Sequence, residues 1–496
     1  MARTPLSDVR RLMAILDGDL PRLTLIDNYI HGIHADPYVP DNASAEYKLL
    51  AKRAVTNWFP LVVGASAQSL YVDSVRPGRK IPQGARDVLP EWKHWQLSRL
   101  DSRQTAIYRE ALGFGHAFAV TERRGGKIQT KGLSALSTSA LFADPANDET
   151  PKAAFTVVEW PSAANEGVGI ARLWNETNEY EVLFQGLLDG ENVVINDLGP
   201  HGSSFCPVTR FAAYVDLSGR TFGVVEPLLA LHDRINQTVF DTLVVQSGGA
   251  FKVRYATGME QPYKMHQVEQ DDGSFAWEPL LDEDGAPIPD EIRINALELL
   301  FSPGENTKFG TLDETPLDGY LKAIEEAVKA FAAISQTPPH YLLGSIVNLS
   351  AEALQAAETS LERKVGEFRS TFGESWERIF RLSAELNGIE GAADDYQIEV
   401  IWRDMEARAL GPTADGLLKL RQMGAPLKGL IQLVPGMTLT QFYEWVDMID
   451  AEAEEDPTAQ LASATSRNAT ARSTVATRRS TSTSGLATTG VADQVP

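Results

Sequence analysis

Apolar residues recur at steps of three and four in three stretches of the chain, each with a start and a stop. In the first, Leu228, Leu231, Ile235, Val239 and Leu243 follow Glu226-Pro227, where proline's missing N–H does no harm, and Gly248-Gly249 marks the end. The second opens on Thr315-Pro316-Leu317-Asp318, a Ser/Thr-x-x-acid helix start. Leu317, Leu321, Ile324, Val328 and Phe331 mark one face, and Thr337-Pro338-Pro339 stops it. The third is the longest. Ser350 is placed to cap it, Glu352 suits the positive first turn, and Leu354, Ala357, Leu361, Val365, Phe368, Phe372, Trp376 and Ile379 keep the helical period. From Ala351 to about Leu386 such a helix spans roughly 50 Å, with Gly366 and Gly373 as candidate bend points.

Elsewhere the period shortens to two. Phe251-Lys252-Val253-Arg254-Tyr255 alternates like a strand and Asp282-Glu283-Asp284-Gly285 reads as a turn, which makes about 250–314 a β-rich insertion between two helices. Before the first of these helices, short helices mix with strands at His116–Thr121, Ala154–Glu159, Glu181–Phe184 and Phe211–Val215. Residues 412–455 read as three short helices, broken near Gly424-Ala425-Pro426 and at Pro435-Gly436, and Thr438-Leu439-Thr440-Gln441 starts the last with a capping-box pattern. From Pro457 the chain is dominated by Ala, Ser and Thr, with too few large apolar side chains to offset the entropy of ordering. Residues 457–496 are therefore expected to be a disordered tail. The fold class is α+β, with no internal repeat.

Composition narrows the function. The chain has 496 residues, 43% apolar and 23% charged, which is the globular range. Its 67 acidic against 45 basic residues leave a net charge of −22, so it does not grip phosphate backbones over its whole surface. The tail holds Arg467, Arg472, Arg478 and Arg479 against Asp493, so the body is more acidic still. The single cysteine, Cys206, excludes a disulfide within the chain and a cysteine-based zinc site. No secretory signal is expected from MARTPLSDVRR, and no window of about 18 apolar residues predicts a membrane span.

Local catalytic signatures are absent from the sequence. Gly125-Gly126-Lys127 lacks the rest of a Walker A loop, and there is no HExxH, CxxC or GxSxG. Gly113-Phe114-Gly115 reads as a turn between a helix and a strand rather than a dinucleotide loop. His31 and His34 have a spacing that suits one metal but no acidic or cysteine partner, so they read as ordinary surface or core histidines. The acidic run at 282–285 lacks the terminal Glu of a calcium loop. Two basic runs, Arg76, Arg79, Lys80, Arg86 and Arg123, Arg124, Lys127, Lys131, carry no interleaved aromatics for stacking on bases, which favours solvated loops or salt bridges between subunits. No cofactor is expected.

Four segments together resemble tailed-bacteriophage portal proteins, of the type common in siphophages of actinobacteria. Ala111-Leu112-Gly113-Phe114-Gly115-His116-Ala117-Phe118 is similar to the family's helix-to-strand junction in the wing. Phe222-Gly223-Val224-Val225-Glu226-Pro227 with Leu231-His232-Asp233-Arg234-Ile235-Asn236-Gln237-Thr238 resembles the entry to its first stem helix. Thr337-Pro338-Pro339-His340-Tyr341-Leu342-Leu343-Gly344, followed by Asn348-Leu349-Ser350-Ala351-Glu352-Ala353-Leu354, resembles the tunnel loop and the start of the long wing helix, and Phe372-Gly373-Glu374-Ser375-Trp376 falls where that helix often carries Phe-Gly-x-x-Trp.

The resemblance implies a portal fold assembled as a ring of about twelve subunits: 1–222 wing, 223–247 first stem helix, 248–315 clip, 316–334 second stem helix, 335–350 tunnel loop, 351–410 long wing helix and following strand, 411–456 helical crown. It implies a virion protein at the unique capsid vertex, made and assembled in the host cytoplasm, through which double-stranded DNA is packaged and ejected without sequence-specific binding. The implied partners are the major capsid protein and scaffold, the large terminase, then the head-tail connector (adaptor) protein, with no membrane. It is implied to be no enzyme. The implied DNA-proximal residues are Ser335, Gln336, Thr337, Pro338, Pro339, His340, Tyr341, Leu342, Leu343, Gly344 and Asn348, with Asp233 and Asn236 structural in the stem. A ring of about twelve such chains carries formally on the order of −260 charges, and any part lining the channel would repel DNA from the wall. The alternatives are another phage head structural or maturation protein, or a hydrolase whose site is assembled from distant residues.

Overall fold

The computed structural model describes residues 3–79, 89–186, 192–250, 254–257, 263–270, 273–283, 285–290, 308–311, 316–344, 351–389, 391–403, 410–431, 433–434, 437 and 439–455. In chain order the elements are α1 (Pro5–Ile30), α2 (Ala45–Arg53), α3 (Phe59–Gln68), β1 (Val72–Arg76), α4 (Pro90–Leu97), α5 (Leu100–Phe114), β2 (His116–Arg124), β3 (Lys127–Leu133), β4 (Thr138–Leu141), β5 (Ala153–Glu159), β6 (Gly169–Trp174), β7 (Asn178–Phe184), β8 (Val194–Pro200), β9 (Val208–Ala212), β10 (Tyr214–Val215) and β11 (Thr221–Phe222). There follow α6 (Leu229–Ala250), β12 (Arg254–Thr257), β13 (Met265–Glu269), β14 (Phe275–Pro279), β15 (Lys308–Thr311), α7 (Asp318–Ser335), α8 (Pro339–Leu343), α9 (Ala351–Asn387), β16 (Glu399–Trp402), α10 (Leu410–Gln422), α11 (Leu427–Ile431) and α12 (Leu439–Glu455). They divide into two units, Met1–Leu70 with Arg79–Tyr396, and Tyr71–Gly78 with Gln397–Pro496.

In the larger unit, a capping box between Thr4 and Ser7 starts α1, and Pro5 occupies its first turn. The apolar stripe Val9, Leu12, Met13 and Leu16 covers a five-stranded antiparallel sheet in the order β4-β5-β6-β7-β8. Phe155, Leu173, Val182 and Phe184 face that stripe, so period-two strands meet a period-3.6 helix in one dry layer. A second sheet, β3-β2-β9, packs against α5 and α9. The buried face of α9 carries Leu361, Val365, Phe368, Phe372, Trp376 and Ile379. Trp376 sits edge-on to Trp95 and Phe211, with centroids 4.8 and 4.7 Å away, and its Nε1–H donates to the Tyr108 hydroxyl at 2.8 Å.

Two segments a hundred residues apart touch backbone to backbone. Gly115 ends α5 with φ +97°, and a Cβ there would lie 2.6 Å from Phe222 Cα. A Cβ on Gly223 would lie 2.4 Å from the carbonyl oxygens of both Leu112 and Gly113, and Val224 N–H donates to Leu112 O at 2.8 Å. Only glycine fits such an approach.

Between α6 and α7 the described residues are strands and turns: β12 pairs with β15, and β13 with β14, both antiparallel. Gly285 N–H donates to Asp282 O, closing the expected turn. Helix α6 runs through Gly248-Gly249 to Ala250 instead of stopping at them, and α9 passes Gly366 and Gly373 unbroken. The strand expected at 211–215 is split at Ala213, whose N–H leaves the ladder to donate to Gly115 O. The helix start expected at Thr315, residues 251–253 of the expected strand, the caps expected at Ser350 and Thr438, the break at 435–436 and the tail at 457–496 lie outside the described residues.

In the smaller unit, β1 pairs antiparallel with β16, setting Arg76 opposite Glu399, and Arg403 lies 4.2 Å over the Tyr71 ring while binding Asp73. Among the described residues α10, α11 and α12 follow, with Lys428 bridging to Asp450 at 2.6 Å. Among the described residues no helix is long and apolar enough to cross a membrane.

Candidate functional site

Helices α6 and α7 pack together, and their shared root is polar. Asp233 accepts from the Tyr29 hydroxyl at 2.8 and 3.0 Å, and burial together with this carboxylate pushes the Tyr29 pKa up to about 12. Asn236 Oδ1 accepts from Thr56 N–H at 3.2 Å, and its Nδ2 lies 3.2 Å from His232 Nδ1. His232 Nε2 lies 2.7 Å from Thr56 O, which can only accept, so the proton sits on Nε2 and Nδ1 accepts. His34 Nδ1 points at the same nitrogen from 3.2 Å. His232 is therefore neutral, with burial pushing its pKa down to about 4, and burial pushes the pKa of His34 downward. The His232 ring lies 4.7 Å from Phe59 of α3 and 6.1 Å from Phe331 of α7, tying both helices to the N-terminal layer. Asp233 and Asn236 are thus network members at the root of α6.

His31 stands apart, on Asp27 at 3.1 Å, and does not join His34. Among the described residues no group of His, Cys, Asp and Glu is placed to hold a metal.

Beyond α7 the chain turns sharply. Ser335 and Thr337 are buried, Gln336 between them has φ +50°, and Thr337 N–H returns to Ala332 O at 3.0 Å. Pro338 is buried; Pro339 begins α8, a single helical turn where the sequence reads as loop. Tyr341, Leu343 and Gly344 are exposed and Leu342 half-buried, while the His340 ring stands edge-on to Tyr341 at 4.7 Å with Nε2 3.9 Å from Glu358. Gly344 closes the turn with φ +66°; Asn348 lies outside the described residues.

The base of this segment is held by Lys364 of α9, only 3% exposed, whose Nζ donates to Ser335 O at 2.7 Å. That carbonyl is one of the orphan acceptors at the end of α7, where the helix dipole favours a cation. Desolvation pushes the Lys364 pKa down to about 8. Lys364 is not among the sequence-predicted site residues, although its signal is legible: it interrupts the apolar stripe between Leu361 and Phe368. Burial also pushes the Cys206 thiol up to about 12, so it is not a reactive thiolate.

Most described members of the two basic runs have partners within the chain. Arg76 pairs with Glu399, Arg79 with Glu91 and Asp395, and Arg124 and Lys131 both with Glu122. Arg123 donates to Leu386 O and Lys127 is exposed; Lys80 and Arg86 lie outside the described residues.

Residues 10–457 match the family described as phage portal protein, SPP1 Gp6-like. The chain belongs to that family. It is similar to the portal protein of Mycobacterium phage D29, 33% identical over 124 residues, and to that of Mycobacterium phage L5, 32% identical over 124 residues. Each of these matches covers 25% of this chain and 25% of the relative, so the aligned stretch spans a quarter of either protein. A chain in the virion of a native gene transfer agent particle is also similar, with TM-score 0.39 and 12% identity over 83% of this chain and 100% of the other.

Proposed function

We propose that the chain forms the ring-shaped channel at the unique vertex of a phage capsid, through which DNA is packaged and ejected. The observation that carries this reading is the family match across residues 10–457, in which a pair of packed helices brackets a strand-rich insertion and leads into a turn and a 37-residue helix. In this reading 1–222 and 351–410 form the wing, 223–247 and 316–334 the stem, 248–315 the clip, 335–350 the tunnel loop and 411–456 the crown. About twelve copies close the ring through heterologous contacts. The capsid protein and scaffold surround it, while the terminase and later the head-tail connector protein dock on the clip. The chain performs no covalent step. DNA passes without sequence-specific contact, and channel-facing carboxylates keep it from adhering.

The exposed loop residues Tyr341, Leu343 and Gly344 face the DNA, and the buried Ser335, Thr337 and Lys364 hold the loop's base to α9. Heads assembled with and without this chain, supplied with their terminase and DNA, test the reading. DNase-protected DNA appears only in heads that contain the chain; equal protection without it refutes the proposal.

A further inference from the structure

Two helix faces in the smaller unit stay uncovered, and their charges are opposite. On α10, Leu420 and Met423 lie one turn apart and are 41% and 83% exposed. At about 100° per residue, Lys419 and Arg421 fall on either side of that stripe, and both are exposed. Asp415 is the helix's single acid, which leaves this face net basic. On α12, Val446 is buried while Trp445 and Met448 are 45% and 54% exposed, so the helix turns one side inward and carries this pair on another. Glu444 and Asp447 are exposed beside them. Lys428 takes Asp450, but Lys419, Glu444 and Asp447 take no ion pair among the described residues, and Arg421 donates only to Ala425 O at 3.0 Å.

A single exposed apolar side chain needs no explanation, but a pair one turn apart with charges beside it has the build of an interface, an apolar centre with a polar rim. Tryptophan and methionine are enriched at such centres. The signs decide what can cover them. Another copy's α10 brings like charge to α10, and another copy's α12 brings like charge to α12, so each face disfavours its own kind. The basic face and the acidic face suit each other, yet within one chain both stay exposed and their charges stay unpaired. They are left to meet between copies. A closed ring supplies that geometry, because each copy offers one surface to one neighbour and a different surface to the other, and every such pair is used once.

We infer that α10 of one copy packs against α12 of a second copy of this chain, with Leu420 and Met423 on Trp445 and Met448, and with Lys419 and Arg421 toward Glu444 and Asp447. The inference rests on the ring reading above. Lys419→Glu with Arg421→Glu sets like charges face to face at every contact and should raise the concentration for half-assembly about tenfold or more. Adding Glu444→Lys with Asp447→Lys to the same chain restores the attraction with its sign exchanged and should bring that concentration back. All four side chains are exposed, so the exchanges do not disturb a core.

The test uses the full chain carrying Met423→Cys and Met448→Cys, assembled and then treated with a short bis-maleimide. The native thiol, Cys206, is buried and does not compete. Head-to-tail contact gives a ladder of covalent oligomers on a denaturing gel, whereas either single variant alone stays monomeric and a mixture of the two singles stops at dimers. Rings without the ladder, or dimers from one single variant, overturn the inference while leaving the portal reading intact. A cross-link closed within one chain, or formed to a capsid or scaffold protein instead, also overturns it. Failure to form rings even with capsid partners overturns both readings. In parallel, mass photometry across a dilution series compares wild type, the charge-reversed α10 and the fully exchanged chain. Assembly of the reversed chain at the wild-type concentration, or no recovery in the exchanged chain, refutes the pairing.

Discussion

Replacing Lys364 by methionine removes the ammonium that caps α7 and keeps the side-chain length. The fall in pKa from 10.5 to about 8 is worth about 3 kcal/mol against the charged form, as an order of magnitude. In the unfolded chain the lysine keeps its proton up to its ordinary value, whereas the folded chain releases it near 8. Between these values the unfolded state binds more protons, so native stability rises with pH across the window. At about pH 7 the variant escapes this penalty but leaves Ser335 O without its 2.7 Å donor, a loss of about 1–3 kcal/mol. The two effects nearly cancel. By about pH 10 the wild type has regained roughly 2 kcal/mol and the variant has gained nothing. Hydrogen exchange of amides at the end of α7 and along α9, corrected for intrinsic rates, reads the local opening free energy. Wild-type protection should overtake that of Lys364→Met between about pH 8 and 10. Parallel pH curves for the two proteins would refute the assignment of Lys364 as a buried, partly discharged cap.

Gly223→Ala should prevent proper folding or cost several kcal/mol, because its Cβ would lie 2.4 Å from two carbonyl oxygens; a Tm unchanged within a few degrees contradicts the close approach. Trp376→Ala should cost about 3–5 kcal/mol by opening a cavity among Trp95, Tyr108 and Phe211, read as a large drop in thermal stability. Burial holds the folded-state pKa of His94 and His232 down to about 4 and of His116 to about 3, so the unfolded chain takes up protons first as pH falls below the ordinary histidine value. Each of the three should then cost about 1.4 kcal/mol per pH unit until its folded-state value is reached, and His232→Asn should flatten the acid slope of Tm; an identical slope in that variant contradicts the buried neutral histidine.

The parts of the fold most legible in the sequence are those governed by local periodicity. The helices at 229–250, 318–335 and 351–387 follow from spacing, because each must bury one continuous stripe. The short α8 has a local signal that competes with a stop: the Pro338-Pro339 pair that ends α7 also supplies a proline suited to the first turn of a new helix. Long-range pairing was not legible. Glu399 lies across the ladder from Arg76, and Asp395 reaches Arg79, each more than three hundred residues away, so acids that neutralise the basic run cannot be found from its neighbours in sequence. The stem resemblance points to Asp233 and Asn236, but their partners Tyr29 and Thr56 come from distant parts of the chain and their meeting depends on packing. Gly115 and Gly223 belong to separate sequence motifs, and the close approach of their backbones gives those motifs a physical reason.

The most direct test of the ring reading is the mass and shape of the purified full-length chain, by mass photometry and negative-stain microscopy on one sample. A ring gives particles of roughly 650 kDa, about twelve copies of the 54.3 kDa chain, with a central hole. Compact monomers or dimers that persist when capsid protein and scaffold are present would contradict it.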